Sequence, residues 1–140
     1  MTTEREQFDD QIDPKISTDP DTRRLMVYGI PNCSTVKKAR AALEGAGVVV
    51  DFKDVRGQDM GLEDWEYLEG KVGWDALINR SSRTWRELDE TTKAGLDRES
   101  ALDLLIKHPT LMKRPAIDGG SAVTVGWTDN VRQQLGLEAA

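Results

Sequence analysis

Short apolar runs and helical stripes divide this chain into elements. Leu25 to Tyr28 is an unbroken run of strand-forming residues that stops at Gly29 to Asn32, a turn built from Gly, Pro and Asn. The apolar period then changes: Val36, Ala39, Arg40 and Leu43 share one face of a helix whose first amides Ser34 and Thr35 can satisfy. Two glycines within Glu44 to Gly47 end that helix, and Val48 to Lys53 reads as a second strand. So short a crossover predicts parallel strands with a right-handed connection.

The middle of the chain is helical. Leu62, Trp65, Leu68 and Val72 recur every three or four residues, and Gly73 closes their helix. A helical turn over Trp74 to Ile78, a polar loop from Asn79 to Thr84 and a further turn over Trp85 to Leu88 follow. Asp97 is placed to cap a helix whose buried stripe is Ala101, Leu102, Leu105 and Ile106, ending at His108 and Pro109. Ala116, Ile117 and Ala122 to Val125, joined through Gly119 and Gly120, read as a hairpin, and Asn130 to Leu137 as a closing helix. Residues 1–22 are polar and acidic, with Phe8, Ile12 and Ile16 as their sizeable apolar side chains, and read as a disordered leader before a single domain over 23–140.

Charge and cysteine usage narrow the chemistry. The net charge of −6 argues against direct nucleic-acid binding, which needs a basic field. A cluster in sequence, Arg80, Arg83, Arg86, Lys113 and Arg114, is expected to form a positive pocket for a small anion. One cysteine and one histidine exclude an internal disulfide and make a multi-ligand metal centre an unsuitable reading. No apolar run approaches the roughly 18 residues of a membrane span, and no secretory signal opens the chain, so the expected location is the cytoplasm.

The single cysteine, Cys33, falls at the joint of first strand and first helix. A lone cysteine is most often a small buried apolar residue. The place after a Pro-Asn turn argues for a reactive thiol instead, because helix amides favour an anion there, and Lys37 and Lys38 add positive charge one turn on. His108 is expected to cap or pack rather than act as a base.

Three segments, YGIPNCSTVKKARAAL, GWDALINRSSRTWREL and LLIKHPTLMKRPAI, carry a resemblance to the arsenate reductase (ArsC) family, which includes the Spx regulators and small ArsC-related thiol reductases. The resemblance covers roughly Leu25 to Leu135. It implies an α/β thioredoxin-like fold with a helical insertion between a βαβ unit and a C-terminal ββα unit. It also implies that Cys33 is the nucleophile and that Arg114 is the catalytic arginine preceding a cis-proline, Pro115. The substrate, a small thiol or oxyanion, would lie against Asn32, Ser34, Lys37, Arg80 and Pro115.

Two departures from the family pattern shape the expected activity. Asn79 and Gly126 stand where arsenate-reducing relatives carry arginines, and Val36 stands where the redox regulators usually place a second cysteine. The resemblance therefore implies a glutathione-dependent thiol reductase with no metal and no tightly bound cofactor, glutathione as co-substrate and glutaredoxin as a further partner. The alternatives are a noncatalytic regulator that binds RNA polymerase or another protein, and an arsenate reductase.

Overall fold

The computed structural model describes residues 23–137; the leader expected over 1–22 lies outside them. Strand β1 (Arg24–Gly29) leads through a tight turn into helix α1 (Ser34–Gly45), and the chain returns as β2 (Val49–Asp54), parallel to β1. Gly47, at φ 85°, turns the chain between α1 and β2. The insertion follows as α2 (Leu62–Val72), α3 (Trp74–Leu77), α4 (Arg83–Arg86), α5 (Glu90–Ala94) and α6 (Arg98–Lys107), with a 3-10 turn over Pro109–Leu111. Strands β3 (Ala116–Asp118) and β4 (Val123–Val125) form the hairpin, and α7 (Asp129–Gln134) closes the fold. The sheet order is β2-β1-β3-β4, with β3 antiparallel to both of its neighbours. This is the α/β arrangement expected, a βαβ unit and a ββα unit with the helical insertion between them.

Strand alternation sends side chains to two cores. Leu25 and Val27 of β1 join Ile117, Leu43, Val131 and Leu135 under α1 and α7. Tyr28 faces the other way, into a core with Trp65, Leu68, Leu77, Leu105 and Met112 supplied by the insertion. Burial of each large side chain in these cores stabilises by about 1.5–3 kcal/mol, so both faces of the short sheet are held.

Several boundaries differ from the expectation. Ile106 is 43% exposed and Leu62 50% exposed. In α6 the buried residues are Ala101, Leu102 and Leu105, and Ile106 lies about 100° further round the helix. Leu62 is the first helical residue of α2, ahead of the stripe formed by Trp65 and Leu68. Arg40 of α1 is half-buried, with its guanidinium 4.4 Å from the Phe52 ring centre, rather than part of the apolar face proper. Helix α4 starts two residues earlier than the turn expected at Trp85, because Ser82 accepts a hydrogen bond from the Trp85 amide at 3.1 Å. Helix α5, capped by Asp89, was not expected. Helix α7 is shorter than Asn130 to Leu137: Thr128 caps it, and Gly136 at φ 80° turns the chain after it.

Gly29 controls how closely α1 approaches β1. A Cβ there would lie 2.8 Å from Val36 Cγ2, and Val36 is fully buried and stiff at χ1. Gly29→Ala should therefore destabilise the fold by about 1–3 kcal/mol, read as a lower urea midpoint, and Val36→Ala in the same chain should recover part of the loss. An unchanged midpoint would show that α1 can move away at no cost.

Candidate active site around Cys33

The turn that delivers Cys33 follows from its sequence. Pro31 occupies the second position of a turn in which the Cys33 amide donates to the Ile30 carbonyl at 3.1 Å. The Cys33 backbone is extended, and its carbonyl accepts the first helical bond from the Lys37 amide at 2.9 Å. Cys33 is therefore the N-cap of α1. The expectation that Ser34 and Thr35 hydroxyls cap this helix is not met, since no side-chain cap hydrogen bond is present. Those residues are the first and second inside the helix, whereas a capping side chain reaches the amides of the second and third residues from the N-cap. These amides belong to Thr35 and Val36.

The second functional group comes from the segment before β3. Tyr28 pairs with Ala116 in the antiparallel β1 and β3 register, so the last residues of β1 and the first of β3 lie at the same end of the two central strands. Arg114 and Pro115 precede β3, with the peptide bond between them cis. The Pro115 carbonyl accepts the Gly126 amide at 2.9 Å, tying this segment to the residue after β4. Arg114 Nη1 donates to the Thr110 carbonyl at 2.9 Å, while its Nε is buried with no hydrogen-bond partner.

Cys33 is half-buried and free. Burial pushes its thiol pKa up, but the amides of Val36 and Thr35 and the Arg114 guanidinium outweigh it, and the result lies below the ordinary value. Although the thiol closes no cap hydrogen bond of full geometry, those amides face the sulfur and favour its charged form.

The other residues singled out from the sequence are differently placed. Lys37 and Lys38 are exposed, and the charge acting on the thiol is that of Arg114 rather than theirs. A side chain at the fourth helical position stands off the helix surface, whereas the N-cap sulfur faces the helix end. Asn32 and Ser34 are exposed beside Cys33, and Pro115 is buried.

The positive pocket expected from the basic cluster is not assembled, because most of its members have partners within the insertion. Arg80 binds Asp75 at 2.7 Å and lies 5.2 Å over the Trp85 ring. Arg83 pairs with Glu87 at 3.4 Å, and Arg86 donates to the Ser81 carbonyl at 3.1 Å. Nearness in sequence along short helical turns does not converge in space. His108 is the exposed C-cap of α6, where its amide donates to the Leu104 carbonyl at 2.7 Å.

Among the described residues no three His, Cys, Asp or Glu side chains are grouped to hold a metal ion, and no helix is long and apolar enough to cross a membrane. A cavity of about 380 Å³ lined by Arg23, Leu25, Thr124 and Leu135 lies at the opposite end of β1 from Cys33. The thiol chemistry is not located there.

The lowered thiol pKa sets a pH dependence. A folded-state pKa below the unfolded one favours the fold above the unfolded thiol's pKa, and this contribution is lost as pH falls through the folded value. Alkylation of Cys33 followed against pH should give a midpoint below about 8.5, and Arg114→Ala should raise it. A wild-type midpoint at or above that value would remove the case for an activated thiol.

Comparison with known proteins places this arrangement. An uncharacterised protein of Haemophilus influenzae is 39% identical over 109 residues, 78% of this chain and 96% of that one. The solution structure of an arsenate reductase (ArsC) related protein from Brucella melitensis is 31% identical, with a TM-score of 0.70 over 84% of this chain and 99% of that one. The global transcriptional regulator Spx of Listeria monocytogenes is 26% identical over 114 residues, 79% of this chain and 86% of that one. The family model for ArsC matches residues 28–134, a span that holds the Cys33 turn, the insertion, the cis-proline and the closing helix, and the chain belongs to the ArsC family.

Proposed function

We propose that this protein is a glutathione-dependent thiol reductase that works through one cysteine. The observation that carries the reading is a thiol at the N-cap of α1, facing two amides and one guanidinium, in a chain with no second cysteine to resolve it. Cys33 thiolate attacks the glutathione sulfur of a mixed disulfide between glutathione and a substrate thiol. The substrate S–S bond breaks, the substrate leaves as its thiolate with the bond's electron pair, and a Cys33–glutathione disulfide forms. A second glutathione thiolate then attacks that disulfide, releasing oxidised glutathione and regenerating Cys33 thiolate. In net, one glutathione thiol is consumed for each substrate thiol freed, and the disulfide leaves as oxidised glutathione made from that thiol and the glutathione first bound to the substrate.

Arg114 holds a carboxylate of glutathione beside the sulfur, using its planar fork. Asn32, Ser34 and Pro115 would border the bound thiol, while Lys37 is exposed on α1 and Arg80 is paired with Asp75. A single guanidinium fork matches the two oxygens of a carboxylate better than an arsenate oxyanion, whose charge is spread over more oxygens. Arsenate reduction should accordingly be weak or absent, since loss of a transition-state donor costs about 2.7–4 kcal/mol. Reduction of arsenate at a rate that Cys33→Ser abolishes would restore the arsenate reductase reading.

The second reading is a noncatalytic regulator that binds RNA polymerase or another protein; similarity to Spx over 79% of the chain favours it. The rate of glutathione adduct formation on Cys33, followed by mass, separates the two. Arg114→Ala should slow it without loss of the circular dichroism signal, and Arg114→Lys should restore it only in part, because lysine keeps charge without the fork. Equal rates in all three proteins would favour the regulator.

A further inference from the structure

The insertion is stapled to the segment that carries Arg114. Ile78 and Met112 form an isolated antiparallel bridge, the Asn79 amide donates to the Leu111 carbonyl at 2.9 Å, and the Lys113 amide donates to the Leu77 carbonyl at 2.7 Å. This last bond diverts an amide that a continued 3-10 turn would use. In the turn over Pro109–Leu111, the Leu111 and Met112 amides go to the His108 and Pro109 carbonyls. A further turn would send Lys113 N–H to the Thr110 carbonyl. Because Lys113 N–H is taken by Leu77, the Thr110 carbonyl is left for Arg114 Nη1.

Thr110 is itself held from the other side. Its Oγ1 lies 2.8 Å from Thr84 Oγ1 on α4, and both residues are half-buried. Helix α4 is fixed in turn by Ser82, whose hydroxyl donates to the Asn79 carbonyl at 2.8 Å and accepts from the Trp85 amide. Threonine is stiff at χ1, so a hydroxyl pair of this kind holds one backbone turn against another with little freedom.

We infer that Thr84 and Thr110 are positioning residues, whose paired hydroxyls hold the Thr110 carbonyl in the place where it aims the Arg114 guanidinium at Cys33. The inference rests on the reading of Cys33 and Arg114 as one site. It gives the insertion a role in that site: no atom of Thr84 need touch the substrate, yet Thr84 sets the direction of the charge that does. The groups acting on the thiol are the amides of Thr35 and Val36 from its own helix and Arg114 from the segment before β3, so a change transmitted from α4 reaches it through Arg114.

The test is the alkylation midpoint of Cys33 in wild type, Thr84→Val, Thr84→Ser, Arg114→Ala and the double variant Thr84→Val with Arg114→Ala. Valine keeps the shape and removes the hydroxyl; serine keeps the hydroxyl. Thr84→Val should raise the midpoint by about half a unit, about a threefold loss of thiolate below the midpoint, while Thr84→Ser behaves as wild type. In the Arg114→Ala background, Thr84→Val should add nothing, the non-additivity expected of groups acting through one another. A wild-type midpoint in Thr84→Val, or an equal rise with and without Arg114, would overturn the positioning role while leaving the site reading intact. No change in Arg114→Ala itself would overturn the site reading and this inference with it. Circular dichroism of each variant distinguishes these results from unfolding.

Discussion

The thiol of Cys33 competes for helix amides that no other side chain takes. At most helix starts a Ser, Thr, Asp or Asn oxygen accepts the amides of the second and third residues; here the N-cap is a cysteine, and the amides of Thr35 and Val36 face sulfur instead. Those dipoles are worth most to a negative charge, so the helix end works against the burial that would keep the thiol neutral. The rest of the fold sets the terms of that competition. The Pro31 turn fixes where β1 ends, Gly29 lets α1 press against the sheet, and the β1 and β3 register brings Arg114 to the same end of the sheet.

One charge, rather than a field of them, serves the site. The protein is acidic overall, and Arg80, Arg83 and Arg86 each meet a partner inside the insertion. Exposed ion pairs of this sort add little stability, about 0–1 kcal/mol each. Their effect is to satisfy cations that sequence proximity would otherwise assign to the thiol. Arg114 differs because its segment is pinned by backbone bonds from three directions: Leu77 through Lys113, Gly126 through Pro115, and the sheet through Ala116. With Cys33 as the single cysteine of the sequence, no second thiol of the chain stands beside that guanidinium.

Much of this was legible from the sequence because period and punctuation agree. The run Leu25 to Tyr28, the Gly-Pro-Asn turn, the 3.6-residue stripes of α1 and α2 and the Gly-Gly hairpin each signal one structure, while the pairing of β1 with β3 is a long-range contact that no local signal gives. The place of Cys33 was legible for the same reason. What was not legible is what happens between elements. Ser and Thr are common caps and point to a hydroxyl cap for α1, although the frame set by Pro31 puts cysteine at that position. Basic residues close in sequence suggest a positive pocket, and only three dimensions show that Asp75 and Glu87 take two of them. Helix α5 carries no apolar period, because its stretch from Glu90 to Ala94 buries no residue, and the Asp89 cap is its one local signal. The apolar spacing of Val131 and Leu135 carries a helix on through Gly136, whose positive φ instead marks the turn that follows α7.

That helix amides and Arg114 favour the charged form of Cys33 is tested most directly by the ultraviolet absorbance of the thiolate itself. The difference between wild type and Cys33→Ser across pH isolates one group, because the chain has no other cysteine. The account predicts thiolate absorbance that is already developed below about pH 8.5 and moves to higher pH in Arg114→Ala. A titration at or above the ordinary thiol value, unmoved by loss of Arg114, would contradict it.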